Sequence, residues 1–439
     1  MTNVRVAFLI ALTLLAASQG GCKRAPEKTV SELPEISDLP VVELQHTAAW
    51  GMFRGPGMEG HAPDQPLPTS WGEDENVVWA KDLPGLGHAS PILVDNMVVL
   101  PTAIEEQEQQ LVIALDRSDG RELWRRVIHE GNFVDESQLH LKSSQANSTL
   151  ACNGKQIFAV FLNDAKVVLS ALGLDGALLW QTDVSKFQSR NGFGASPVLY
   201  KSLVICPTDN NGGGNIVAID GASGEVVWRT DRGAHNTYSS ANVCYFGEDR
   251  EAQLLISGGE GITSYDPETG KINWVAHSEC DVTCGTMICG GDYTFASGGV
   301  PGNETICLDR VGTTIWTNQV KVYEPSLLYV EGYLYAVTDN GIAYCWNASN
   351  GEECWRKRLG KNFSASPWTC NGLIYVTNVV GDTIVFEANH DEFKEVAKNH
   401  LGTDCFASPA IDEGQIYMRV GVEGDNGRQE RLYCLGDKS

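Results

Sequence analysis

The side chains best placed to do chemistry are His88, Asn191, His235, Asn236, Asp281, Glu324, Asn362 and Asp404, polar residues that each stand shortly before a recurring segment of small residues. A His beside a carboxylate can move protons, and carboxylates grouped with amides can hold Ca²⁺. Spacing along the chain assembles neither arrangement, and taken singly such residues read as solvated or hydrogen-bonded loop positions. The run DNNGGGN at 209–215 offers oxygen ligands but lacks the acidic spacing of a calcium loop, so it reads as a flexible turn. Phosphate-binding GxxxxGK[ST], zinc-binding HExxH and nucleophilic GxSxG patterns do not occur in the sequence.

Thirteen cysteines are many for a chain with an export signal, because thiols oxidise outside the cytoplasm. Cys22 stands apart from the rest. The others fall mostly at apolar strand positions, such as Cys206, Cys307, Cys345 and Cys434, where Cys substitutes for a small hydrophobe. Cys280, Cys284 and Cys289 lack the tight paired spacing of a zinc site. Cys345 and Cys354 fall nearly opposite each other across one hairpin, which leaves two readings open, a cross-strand disulfide or two thiols.

The elements that must position these residues are repeats. Aligned on Trp, the segments ALDRSDGRELW, AIDGASGEVVW, SYDPETGKINW and CWNASNGEECW end at Trp124, Trp228, Trp274 and Trp355. Shorter copies end at Trp180 and Trp316, NVVWAKDL supplies Trp79, and in a degenerate copy Val396 takes the Trp place. Successive spacings of 45, 56, 48, 46, 42, 39 and 41 residues each suit one four-stranded blade. Within each copy, alternating apolar residues form a strand, Asp or Asn accepts hydrogen bonds in a turn, and the next strand ends on Trp. Gly120, Gly224, Gly270 and Gly351 take the left-handed conformation required by a turn with a bulge. Trp then packs between neighbouring blades.

A second element, GHASPILVDNMVVLPT and its relatives, recurs eight times and supplies the inner strand of each blade around a central channel. The chain ends on QIYMRVG and ERLYCLG without a Trp strand, while NVVWAKDL near the start is just such a strand. The sequence therefore predicts an all-β, eight-bladed propeller of four-stranded antiparallel blades over 76–436, its ring closed by the N-terminal strand around Trp79.

Ahead of the propeller, residues 1–21 carry Arg5, then an apolar run from Val6 to Ala17, then small and polar residues, which is the pattern of a signal peptide. Gln19-Gly20-Gly21-Cys22 resembles a bacterial lipobox, although Gln19 replaces the usual aliphatic residue; the resemblance makes Cys22 the lipidation site and the outer membrane, facing the periplasm, its destination. Residues 22–47 are acidic and poor in aromatics and read as a flexible tether. Residues 48–75, rich in Gly, Pro and aromatics, read as an extended arm packed on the domain.

The pattern A-x-D-x-x-[ST]-G-x-x-x-W at 218–228, with FRGP at 53–56 and LPGLGHASP at 83–91, resembles the PQQ-binding-like repeat propellers of the quinoprotein superfamily. That group includes the lipoprotein of the outer-membrane barrel-assembly machinery. The resemblance implies a fold shared by enzymes and non-enzymes alike. In the enzymes it implies a quinone at the channel mouth, stacked between a Trp and a disulfide of adjacent cysteines, with Ca²⁺ and an Asp base; this chain has no Cys-Cys pair. The expectation is therefore a non-catalytic, monomeric envelope lipoprotein with no cofactor, holding an envelope protein or extended peptide and touching the membrane through its lipid alone. The alternatives are a PQQ- and Ca²⁺-dependent dehydrogenase with an atypical pocket, or a propeller that binds carbohydrate at its channel mouth. A formal charge of −24 repels phosphate backbones and argues against nucleic acid as a partner. The polar stretch IHEGNFVDESQLHLKSSQ, in the longest gap between Trp residues, reads as an insertion projecting from the ring between two blades.

Overall fold

The computed structural model describes residues 49–188, 191–259, 261–424 and 427–437; the predicted signal peptide, Cys22 and the 22–47 tether lie outside the described residues. Each Trp repeat forms a hairpin whose turn is held by its Asp. In the first copy Gly120 N–H donates to the Asp116 carbonyl at 2.9 Å, and the Asp116 carboxylate accepts from Ser118 N–H at 2.9 Å. One strand then carries an extra residue, so that Ala114 faces Trp124 while Leu115 faces Glu122. Gly120 has φ +71° and Gly224 φ +78°, as such turns require.

These hairpins are the outer halves of seven of the eight four-stranded antiparallel sheets, in which the strands run from inner to outer as the chain runs. Seven blades are continuous, over 92–130, 151–186, 198–233, 242–276, 288–318, 328–358 and 368–400. The eighth takes three strands from 410–435 and its outermost from Val77–Asp82, in the order that joins the two ends of the chain. Trp79 pairs with Cys434 in this closing register. The eight-bladed all-β architecture thus agrees with the repeat count.

The middle strands differ from the alternating pattern expected. Met97–Ile104 and Gln109–Asp116 are buried almost throughout, whereas Glu122–Glu130 at the rim is mostly exposed or half-exposed. Neighbouring blades cover both faces of every middle strand, so both sets of side chains must be apolar. The core is accordingly a ring of interfaces between blades. Phe158 and Val160 of blade 2, for example, cluster with Val204 and Val217 of blade 3.

Indoles join blade to blade. The Nε1–H of Trp79 donates to the Arg117 carbonyl at 2.7 Å, that of Trp228 to Pro267 at 3.0 Å and that of Trp316 to Ala348 at 2.8 Å. Trp124, Trp180, Trp274 and Trp355 make the equivalent bond to the next turn. In most copies the ring lies against the turn glycine. A Cβ on Gly120, Gly224, Gly270 or Gly351 would come within 2.4–2.7 Å of the preceding blade's indole.

Of the two readings of the Cys345 hairpin, the structure has the thiols. Cys345 faces Trp355, and Cys354 falls in the bulge beside it, so the two remain thiols. Among the described residues the disulfide is Cys244–Cys289, joining the inner strands of blades 4 and 5 with a Cα separation of 6.1 Å.

The DNNGGGN turn is tied down rather than loose. Asp209 forms a buried ion pair with Arg232 at 2.8 Å, and the Asn210 side-chain carbonyl accepts from the Gly212 and Gln188 amides. Its acidic group is spent on the guanidinium.

Candidate functional site: the axial cavity

A hydroxyl residue stands two positions before every inner strand, and these hydroxyls link the blades around the axis. Ser90 N–H donates to Thr149 Oγ1 at 3.0 Å, Thr149 N–H to Ser196 Oγ at 3.0 Å, and Ser196 N–H to Ser240 Oγ at 2.8 Å. The same bond runs from Thr286 to Ser326, Ser326 to Ser366 and Ser366 to Ser408. Buried amides at the crowded axis are thereby satisfied without a helix or a further strand.

The N-terminal segment closes one end of this axis. Trp50 bridges Leu93, the Gly51 carbonyl accepts from Cys152 N–H, and His61 bridges Thr369, all further along the inner strands than the hydroxyl ring. Between these contacts Arg54, only 2% exposed, donates Nη2 to the carbonyls of Leu327 at 2.8 Å and Glu59 at 2.9 Å. Burial pulls this guanidinium down to about 9. Phe53 forms the cavity floor.

Above the floor lies a cavity of about 270 Å³. Phe193, Phe406, Tyr238 and Tyr323 supply its aromatic wall, and the hydroxyl ring and Asn147 supply polar contacts. The opposite end is narrowed by the insertion after blade 1, which turns inward instead of projecting from the ring, so that His140, Lys142 and Ser143 line the cavity. Lys142 Nζ reaches across the axis to Glu324 Oε1 at 2.6 Å, and the Lys142 carbonyl accepts from His88 Nδ1 at 2.7 Å. These contacts hold the segment inward. The Tyr323 and Glu324 amides are fixed in turn by the Asp339 carboxylate, at 2.8 and 2.9 Å.

Of the eight loop residues singled out from sequence, His88, Asn191 and Glu324 line the cavity and five do not. Asp404 is held by Arg428 through two bonds of 2.7 Å. The Asp281 and Asn362 carbonyls accept backbone bonds while their side chains are exposed. His235 lies beside Gly259, and Asn236 donates to the Tyr238 hydroxyl. Lys142, Asn147, Phe53 and the tyrosines escaped the sequence reading because no periodic pattern marks the residues of an insertion or arm.

The cavity's chemistry is mild. Burial lowers the affinity of His88 for a proton, and its imidazole packs tilted against Phe406, ring centres 4.5 Å apart. Burial pushes the Cys284 thiol up to about 12, so it is no thiolate nucleophile near neutrality. The donor set also departs from that of a quinone site. No Trp lines the cavity among the described residues, its carboxylate Glu324 is engaged by Lys142, and no three His, Cys, Asp or Glu side chains are grouped as metal ligands among the described residues. The residues present do not fit PQQ with Ca²⁺.

Fold and repeat together define a PQQ-like-repeat propeller. The chain belongs to the family described as outer membrane protein assembly factor BamB, whose model matches residues 68–275 and 302–392. It is 23% identical over 337 residues to the outer membrane protein assembly factor BamB of Yersinia pestis, covering 71% of this chain and 78% of that protein. Among solved structures it is similar to BamB from Moraxella catarrhalis, with a TM-score of 0.59, 15% identity, and coverage of 81% of this chain and 96% of that one. It is also similar to a europium-containing methanol dehydrogenase, with a TM-score of 0.65, 12% identity, and coverage of 90% and 99%. At these identities the structural likeness establishes the fold alone.

Proposed function

We propose that this protein is a non-catalytic scaffold of the bacterial cell envelope, a monomer anchored through a lipid at Cys22 to the outer membrane and holding a protein partner on the periplasmic side. Membership of a family whose relatives are named as assembly factors supports this reading. The observation that carries it lies on the rim. The outer strands of consecutive blades present Leu178 and Leu179, Val226 and Val227, and Ile272 and Val275, each 38–53% exposed, on a chain of net charge −24. These strands are also sheet edges with unpaired backbone groups, onto which an extended segment of a partner can add as a further strand. A cavity without a quinone's donor set weighs against the dehydrogenase alternative.

The test is site-specific photocrosslinking of the full-length lipoprotein in intact envelopes, with the crosslinker at Leu179 or Val227. A defined protein adduct is expected there, and its loss in Leu179→Asp/Val227→Asp without a change in melting temperature. Equal adducts from the polar rim position Lys271, or none at the apolar positions, would overturn the reading.

A further inference from the structure

The rim scaffold leaves the axial cavity without a role, yet that cavity is built. Its floor, wall and mouth come from three separate parts of the chain, the arm, the blades and the insertion after blade 1. Its charges cancel. Lys142 and Glu324 form one ion pair, burial lowers the affinity of His88 for a proton, and His140 Nδ1 accepts from the Lys142 amide at 3.2 Å. Among the described lining residues, the Lys142–Glu324 pair thus leaves no unmatched Lys, Arg, Asp or Glu side chain.

Among the described residues, one buried polar atom in this lining is unsatisfied. Glu324 Oε1 is taken by Lys142, but Oε2 is buried and has no hydrogen-bond partner. A buried carboxylate oxygen without a donor costs about 1–3 kcal/mol or more, which a ligand hydroxyl would relieve. The same lining carries Ser364 and the ring hydroxyls, which can donate or accept, and the aromatic rings of Phe193, Phe406 and Tyr323. Many hydroxyls, one open acceptor, aromatic walls and a matched charge pair among the described residues together match a ring that carries hydroxyls on its edge and C–H groups on its faces.

We propose that the axial cavity binds the end residue of a neutral carbohydrate, with Glu324 Oε2 accepting from a sugar hydroxyl and the aromatic wall packing on the pyranose face. About 270 Å³ accommodates one such ring and not an extended chain, so recognition is of a terminus. The Lys142–Glu324 pair then sets selectivity as well as position. Removing either partner leaves one net charge inside the cavity.

The experiment is titration of the mature full-length protein, followed by calorimetry and saturation-transfer NMR, with N-acetylglucosamine and glucose as neutral probes and glucosamine and glucuronate as charged ones. Binding of a neutral probe at least about tenfold tighter than of either charged probe is expected. Glu324→Gln should weaken the neutral probe about tenfold and turn preference toward glucuronate, while Lys142→Met should turn it toward glucosamine; a purely structural role would not produce these opposite shifts. Ser364→Phe, which fills the cavity, should abolish binding at unchanged melting temperature. Absence of saturable binding by both neutral probes would overturn the proposal, as would binding unaffected by Ser364→Phe or a charge preference that the variants leave unmoved. These readouts are independent of partner capture at the rim.

Discussion

The indole of Trp79, on the strand that closes blade 8, lies so close to Gly120 of blade 1 that a Cβ there would stand 2.6 Å from its Cε3. The same indole donates to the Arg117 carbonyl at 2.7 Å. The first strand of the propeller thus locks blade 8 to the first complete blade, while its pairing with Cys434 joins parts of blade 8 that the chain separates by a whole circuit.

Gly120→Ala should therefore cost about 2–4 kcal/mol, combining left-handed backbone strain with displacement of the indole. Gly372 is the control, because it also has a left-handed φ of +71° but no atom within 4 Å of its would-be Cβ. Gly372→Ala should cost about 1–2 kcal/mol, the strain alone. Denaturant unfolding of both variants measures the difference. Deleting 76–82 should lower the melting temperature cooperatively, since blade 8 is left with an open edge.

The Cys244–Cys289 bridge spans 45 residues. Closing a loop of that length in the unfolded chain contributes about 4 kcal/mol in the chain-entropy model. Cys244→Ala/Cys289→Ala is expected to lose a substantial part of that stability, seen as a lowered melting temperature. Thiol titration in denaturant, before and after reduction, should differ by two thiols, and no difference would remove the bridge.

Arg232 and Asp209 are both buried, with side chains 4% exposed. Asp209→Asn keeps the shape but strips the guanidinium of its counter-charge, leaving it the Tyr265 hydroxyl and the Gly258 carbonyl. A loss of about 3–5 kcal/mol is expected. Arg232→Met/Asp209→Leu should cost less than the sum of the single losses, and a double-variant cycle by urea unfolding reads that coupling.

His61 and His88 both bind protons less readily in the fold, chiefly through burial. The unfolded chain therefore takes up more protons, and stability rises with pH through the window below the ordinary imidazole value of about 6.5. The melting temperature should be level above that value and fall as pH drops beneath it, until the folded imidazoles themselves titrate. His61→Gln/His88→Gln should flatten the slope; an unchanged slope would assign the acid sensitivity to other groups.

Local pattern made much of the ring legible. Asp116, Gly120 and Trp124 sit within one hairpin, so their types and spacing report a turn, a bulge and a docking ring directly. Cys345 and Cys354 show the limit of such reading, because the bulge that the glycine turn creates shifts the register and brings Trp355 opposite Cys345. The inward fold of the insertion was likewise hidden, since a polar stretch looks the same whether it meets water or a cavity.

By itself the sequence determined the number of blades, their hairpins and the strand that closes them, because each is encoded within one repeat and its periodicity. Tertiary structure decided what those blades enclose. The bond from Lys142 to Glu324 joins residues 182 apart and that from Arg54 to Leu327 residues 273 apart. Such pairs meet only once the ring has closed, and their geometry follows from the convergence of eight inner strands on one axis, which no local pattern records.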